Sequence, residues 1–321
     1  MAGQCDRDAL STIVHGKGEL RVYRLEPLSD DAIAALLRGQ FCVDDPQQFV
    51  QHAEQMGVGA LLRNPQTMSM LAKAVSSGTA WPNSRTATFE LACKTLATEP
   101  NQQHQSAKRK LWPNTPALLD AAGLIAAVFL CADRSEIQLA RGEASNPKAL
   151  VLLEIGSDRK LPIQEVIETN LFAAIGENVW MPAHRSLAEF LAARYMVRLI
   201  QSGLAPTRAV SLLLGANAGV ITSLRGLNAW LATCALSARE HSIEADPQGV
   251  LLYGDVKAFT TNEKVRLLEG LKQSVDDFRW RGGEDWNSSL LGALATQDMA
   301  AEFVRILRAT ERERSDQALA D

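Results

Sequence analysis

Hydrophobic side chains recur at three- and four-residue spacing along most of this chain, and the clearest run begins at Leu187. Leu187, Phe190, Leu191, Tyr195 and Leu199 form one helical stripe, interrupted by Arg194, whose aliphatic stem can pack. Ser186 and Glu189 have the S-x-x-E spacing of a capping box, which predicts Ser186 as N-cap and Glu189 as the third helical residue. His184 stands just ahead of this helix. Unpaired N–H groups and the positive dipole end gather there, so an anion such as phosphate could be held by the histidine and the helix together.

Upstream, residues 19–25 alternate and predict a short strand. Ser29 is a predicted N-cap, with Asp30 and Asp31 in the first turn and Ile33, Leu36 and Leu37 inward. Residues 47–56 predict another helix. Asn64-Pro65 is a helix start with Pro65 at the first helical position, and Met68, Leu71, Ala72 and Val75 supply the buried side. Residues 85–98 continue as an amphipathic helix through Phe89, Ala92, Cys93 and Leu96. Residues 99–110 are polar throughout and read as a linker.

Residues 116–130 predict a buried core helix; its apolar run, 121–132, is twelve residues long and too short to span a bilayer. Short segments at 149–155, 162–170 and 178–180 precede the helix after His184, an order of helix, helix, extended pair and helix that fits a winged-helix domain. Beyond Gly203 the pattern changes to short helices at 209–214, 220–236, 250–260 and 263–271, separated by Gly, Pro or Asn, with no fixed repeat period. A last amphipathic helix covers 290–307, and 311–321 is a charged, frayed tail. The fold class expected is mainly α with a minor β component.

Composition narrows the function. A hydrophobic content of 46% over 321 residues suffices for two or three cores. A net charge of −4 gives no general attraction to nucleic acid or an anionic membrane. Residues 1–18 have no apolar core, so no leader is expected there. Cys5, Cys42, Cys93, Cys131 and Cys234 form no C-x-x-C pair and suit buried thiols in a reducing cytoplasm.

Candidate chemistry is sparse. His15, His52, His104, His184 and His241 are scattered without a ligand partner at helical spacing, so no metal site is expected. There is no G-x-S-x-G elbow. Asp30-Asp31 and Asp44-Asp45 read as helix starts rather than Mg²⁺ ligands. Lys108-Arg109-Lys110 is a small solvated cluster with no interleaved aromatic, and the helix predicted at 163–170 carries two glutamates and no basic residue. No G-x-x-x-x-G-K-[S/T] occurs anywhere, Gly16-Lys17-Gly18 included.

The run HRSLAEFLAARY, beginning at His184, resembles the winged-helix segment of NACHT-type members of the STAND family, signal-transducing ATPases. Their pattern there is roughly F-x-H-x-(S/T)-(F/L)-Q-E-(F/Y)-(L/F)-A-A. His184, Ser186, Glu189, Phe190, Leu191, Ala192 and Ala193 match, while Pro182 stands in place of the aromatic and Ala188 in place of the glutamine. In that family the matching histidine touches the β-phosphate of ADP and helps keep the protein shut. VYRLEPLSDDAIAALL resembles the family's passage from the last strand of the nucleotide-binding core into a helical lid. RNPQTMSMLAKAV resembles the lid segment whose helix-opening proline packs on adenine, a position matched by Pro65. The stretch around DPQGVLLYGDVKAF is similar to the second helical domain or start of a helical array that follows the winged helix.

The resemblance spans about residues 20–271 and implies a domain order. Residues 1–20 are a remnant or disordered, 21–98 a helical lid, 99–110 a linker, 111–202 a winged-helix domain, 203–310 a second helical domain and 311–321 the tail. It implies the regulatory portion of an ATP-dependent signalling or defence switch, cytoplasmic, cut from a longer protein or encoded as a split piece. Walker A, Walker B and the arginine sensor are missing, so the chain is not expected to hydrolyse ATP alone. His184 and Pro65 are the implied nucleotide-binding residues, with ADP or ATP bound only in a complete NTPase core. The implied partners are that core or another protein, with homo-oligomers when complete, and neither nucleic acid nor membrane. A helical scaffold without nucleotide binding is the alternative.

Overall fold

The computed structural model describes residues 28–55, 59–63, 65–76, 82–98, 113–140, 146–155, 161–276, 292–306 and 308. The strand expected at 19–25, the remnant at 1–20, the linker at 99–110, the N-cap Asn64 and the tail at 311–321 lie outside the described residues. What is described is mainly helical with one four-stranded sheet. The chain divides into two compact units, Met1–Ser76 and Ser77–Asp321.

In the first unit, helix α1 (Asp30–Phe41) starts where its cap predicts: the Ala32 N–H donates to the Ser29 hydroxyl at 3.3 Å. Helix α2 (Pro46–Gln55) is opened by Asp45, which accepts from the Gln48 N–H at 2.9 Å. A 3₁₀ turn at Gly59–Arg63 leads into α3 (Pro65–Ser76). Ile33, Leu37, Phe49, Leu62, Met68 and Leu71 form the core between these helices. Arg63 ties the unit's edge: its carbonyl accepts from the Leu28 N–H at 2.8 Å, and its guanidinium donates to the Leu28 carbonyl at 3.0 Å.

The second unit opens with α4 (Arg85–Thr98), which packs against the helices at Thr115–Cys131 and Arg185–Gln201. Helix α5 (Thr115–Cys131) is capped by Asn114, which accepts from the Ala117 N–H at 2.9 Å, and has a proline in its first turn. There follow β1 (Glu136–Gln138), β2 (Ala149–Val151), the short helices α6 (Leu152–Ile155) and α7 (Ile163–Ile167), β3 (Phe172–Gly176), β4 (Val179–Pro182) and α8 (Arg185–Gln201). The sheet order is β2-β1-β4-β3, with β1 parallel to β2 and antiparallel to β4, and β3 antiparallel to β4. Asn178 takes the left-handed conformation (φ 55°) in the β3–β4 turn, which asparagine tolerates better than most residues.

Helices α5 and α8 cross closely at Gly123, where a Cβ would lie 2.9 Å from the Leu191 carbonyl oxygen. Arg198 on α8 pairs with Asp120 on α5, and Arg194 pairs with Glu90 on α4. Helix α8 is buried beyond its expected stripe, because Ala188, Ala192, Ala193 and Met196 are buried as well. It also starts two residues earlier than the capping box predicts. His184 is the N-cap, in extended backbone, and its carbonyl accepts from the Ala188 N–H at 3.0 Å. The reciprocal box centred on Ser186 does not form, because the Glu189 carboxylate sits 3.0 Å from Arg185 Nε instead.

The remaining helices are α9 (Pro206–Ser211), α10 (Arg225–Cys234), α11 (Leu236–Ala245), α12 (Pro247–Tyr253) and α13 (Thr261–Asp276), with residues 300–306 helical near the end. The single run expected at 220–236 is divided: a 3₁₀ turn covers Thr222–Leu224, and the extended backbone of Ala235 separates α10 from α11. Ile243, Val250, Leu251, Phe259, Leu267 and Leu294 belong to one apolar cluster here. A second focus joins distant segments. Phe89 of α4, Phe190 of α8 and Trp230 of α10 meet with ring centroids 5.6, 4.6 and 4.9 Å apart.

Candidate functional site

His184 occupies the mouth of α8, where the first helical N–H groups lack intrahelical partners. Its side chain makes no capping hydrogen bond, so the imidazole is not committed to its own helix. The residue is half-buried, and loss of water around the ring lowers its pKa from 6.5. A neutral imidazole at a helix N-terminus can still donate one N–H to a phosphate oxygen, while the backbone and dipole contribute the rest.

The residues after His184 anchor this helix mouth to α10. Arg185 donates through Nε to Glu189 at 3.0 Å and through its terminal nitrogen to the Ser223 carbonyl. Glu189 rests against Gly226, where any Cβ would overlap the carboxylate. Burial raises the Glu189 pKa, opposed by the nearby charges of Arg185 and Arg85. Neither Arg185 nor Gly226 was singled out in the sequence. The i,i+4 spacing of Arg185 and Glu189 is the signal that competes with the capping box, and it is the stronger one here.

A larger polar network continues beneath the aromatic focus. The Arg85 guanidinium lies 5.6 Å from the Trp230 ring centroid and donates to the carbonyls of Leu252 and Gly254 at 3.2 and 3.3 Å. Asp255 accepts from both the N–H and the hydroxyl of Thr86 at 2.8 Å, so it caps the start of α4 from 169 residues away. Arg225 makes a two-pronged pair with Asp246 at 2.7 and 3.0 Å, and Asp246 also accepts from the Gly249 N–H at the start of α12. Arg239 donates to the carbonyls of Ala232 and Thr233 and to Glu263, with its guanidinium 4.3 Å from the Phe259 ring centroid. These arginines are structural fasteners, each engaged by partners that span several helices.

Pro65 opens α3 in the first unit and is exposed. Both expected nucleotide-binding residues therefore stand at helix starts, each within its own unit. Among the described residues, no group of three or more His, Cys, Asp or Glu side chains could hold a metal ion. Burial pushes the Cys93 thiol up and the Cys234 thiol up to about 11, so neither is a ready thiolate. Among the described residues no helix is long and apolar enough to cross a membrane. Compared with known proteins, the chain matches no protein-family model and no curated sequence.

Proposed function

We propose that this chain is the regulatory portion of a NACHT/STAND-type switch, comprising a helical lid, a winged helix and a second helical segment. It closes over ADP or ATP held by a P-loop core and relays the nucleotide state, without hydrolysing ATP by itself. The observation that carries this reading is the placement of His184. A half-buried imidazole with no capping bond of its own stands at the mouth of α8, directly after the β3–β4 hairpin. The preceding order α5, β1, α7, β3, β4, with β2 and α6 between β1 and α7, supports reading this segment as a winged helix. Pro65 opening α3 agrees with the lid segment of the same family. The sequence supplies neither Walker motif, so the phosphate-binding loop must come from the core.

The test uses the intact switch, containing this chain and its P-loop core. ADP retained through purification is measured by liquid chromatography after denaturation. His184→Leu should empty the site and turn the switch on without its trigger, with the far-ultraviolet circular dichroism of the wild type retained. Retention at the wild-type level would refute the role. Calorimetry on the 321-residue chain by itself should detect no ADP binding tighter than about 1 mM, and tight binding would refute the need for a core.

A helical scaffold without nucleotide binding is the second reading. Leu212, Ile221 and Leu236, 54%, 41% and 74% exposed, favour it, because large apolar side chains on the second helical stretch suit a protein partner. An intact protein that carries no nucleotide at all would select this reading.

A further inference from the structure

Gly226 and Trp230 stand four positions apart on α10, so they share one face of that helix and lie about 5–6 Å apart along it. Glu189 of α8 rests on Gly226, and the Arg85 guanidinium of α4 lies 5.6 Å from the Trp230 ring centroid. A buried carboxylate and a buried guanidinium are thereby brought to neighbouring places on α10. Glu189 is held by Arg185, whose Nε donates to it at 3.0 Å and whose terminal nitrogen is tied to the Ser223 carbonyl. Arg85 donates through its own terminal nitrogen to the carbonyls of Leu252 and Gly254. Its Nε–H is buried and has no acceptor among the described residues, an uncommon state for a charged donor.

The anions that favour the Arg85 cation are Asp255, Glu189 and, more weakly, Tyr253. Asp255 is committed to the start of α4, where it accepts from the N–H and the hydroxyl of Thr86. Glu189 is bound only through the Arg185 side chain, which is 38% exposed and adjoins His184 in sequence. We propose that Glu189 is a two-position carboxylate, held by Arg185 in this structure and passing to the Nε–H of Arg85 when Arg185 withdraws. Loss of Arg185 leaves a buried carboxylate without its cation, and Arg85 carries a buried donor without an acceptor, so one new charge-assisted hydrogen bond relieves both. A change of Glu189 rotamer moves the carboxylate along α10 toward Trp230, where Arg85 lies. The exchange carries the ion pair from the helix mouth beside His184 to the residue that holds the end of α12. Displacement of Arg185 is thus felt at α12, whatever draws Arg185 away, and the device does not depend on the nucleotide reading.

The test uses the isotope-labelled full chain and the Nε–H resonance of Arg85, assigned by its loss in Arg85→Lys. In Arg185→Gln this resonance should move downfield and its solvent exchange should slow by about tenfold or more, as a new bond to a carboxylate requires. Adding Glu189→Gln to Arg185→Gln should return it to the wild-type position. An unmoved resonance in Arg185→Gln would overturn the proposal, because Glu189 would then have taken a proton or a water in place of Arg85. So would the same shift in the double variant. Urea unfolding supplies a second measurement: the coupling between Arg85→Lys and Glu189→Gln in the folding constant should be about tenfold larger with Arg185→Gln than with Arg185 present. Equal coupling in the two backgrounds would refute the exchange.

Discussion

Replacing Gly226 by alanine should destabilise the second unit, and the same change should become neutral or favourable once Glu189 is gone. A Cβ on Gly226 would overlap the Glu189 carboxylate, with Glu189 Oε1 at 3.0 Å and the other oxygen nearer still. The carboxylate must then leave its seat, and the hydrogen bond from Arg185 Nε at 3.0 Å goes with it. Hydrogen bonds to charged groups contribute about 1.5–3 kcal/mol, and the low end applies because the Arg185 side chain is 38% exposed and screened by water. Against that loss stands the helix preference of alanine over glycine, up to about 1 kcal/mol and less near a helix start such as Gly226 in α10. The net expectation for Gly226→Ala is a loss of about 1 kcal/mol. In a Glu189→Ala background the obstruction is absent, so only the helix preference remains and the sign reverses. The coupling between the two changes is then about 1–2 kcal/mol.

Urea unfolding followed by tryptophan fluorescence isolates the relevant transition. All six tryptophans, at 81, 112, 180, 230, 280 and 286, fall within Ser77–Asp321, so the signal reports the second unit rather than the first. Equal destabilisation of the Gly226→Ala change in both backgrounds would refute the overlap with Glu189 as its cause. So would stabilisation of the wild-type chain by Gly226→Ala.

Two further outcomes are expected from the same measurements. Arg239→Lys should lose about 2–4 kcal/mol, because a single ammonium cannot serve the carbonyls of Ala232 and Thr233 together with Glu263 from a position only 6% exposed; a loss under about 0.5 kcal/mol would contradict the assignment. For His184, burial lowers the folded pKa below the ordinary 6.5, so across that interval the unfolded chain binds more protons than the folded one. Stability should therefore rise with pH up to about 6.5 and fall on acidification through the folded value, and His184→Gln should flatten this part of the difference profile; an unchanged profile would count against the burial of the ring.

Much of the fold was legible because its determinants are local. Ser29 caps the helix it precedes, and 85–98 is helical over the expected span. The boundary near His184 was misread for a physical reason: S-x-x-E is local, but Glu189 is claimed by Arg185 and by the space that Gly226 leaves on another helix. Arg85, Arg225 and Arg239 escaped notice for the same reason. In the sequence they look like solvated charges, and only folding brings the Gly254 carbonyl, Asp246 and Glu263 to them. Asp246-Pro247-x-Gly249 did carry a readable signal, an acidic N-cap before a first-turn proline. His184 was legible as a residue at a helix mouth, whereas its lowered basicity depends on packing that no spacing encodes.

The aromatic focus of Phe89, Phe190 and Trp230 has a consequence during synthesis on the ribosome. Phe89 is 0% exposed in the finished protein, yet Trp230 lies 141 positions later, from 89 to 230. At roughly 5–20 residues per second, α4 is translated about 7–30 s before its last aromatic neighbour. Through that interval the α4 segment has an apolar side with no final seat, and Asp255, which caps it, arrives later still. The nascent chain thus offers chaperones a hydrophobic segment early, and α4 completes the unit only after the second helical stretch has been made.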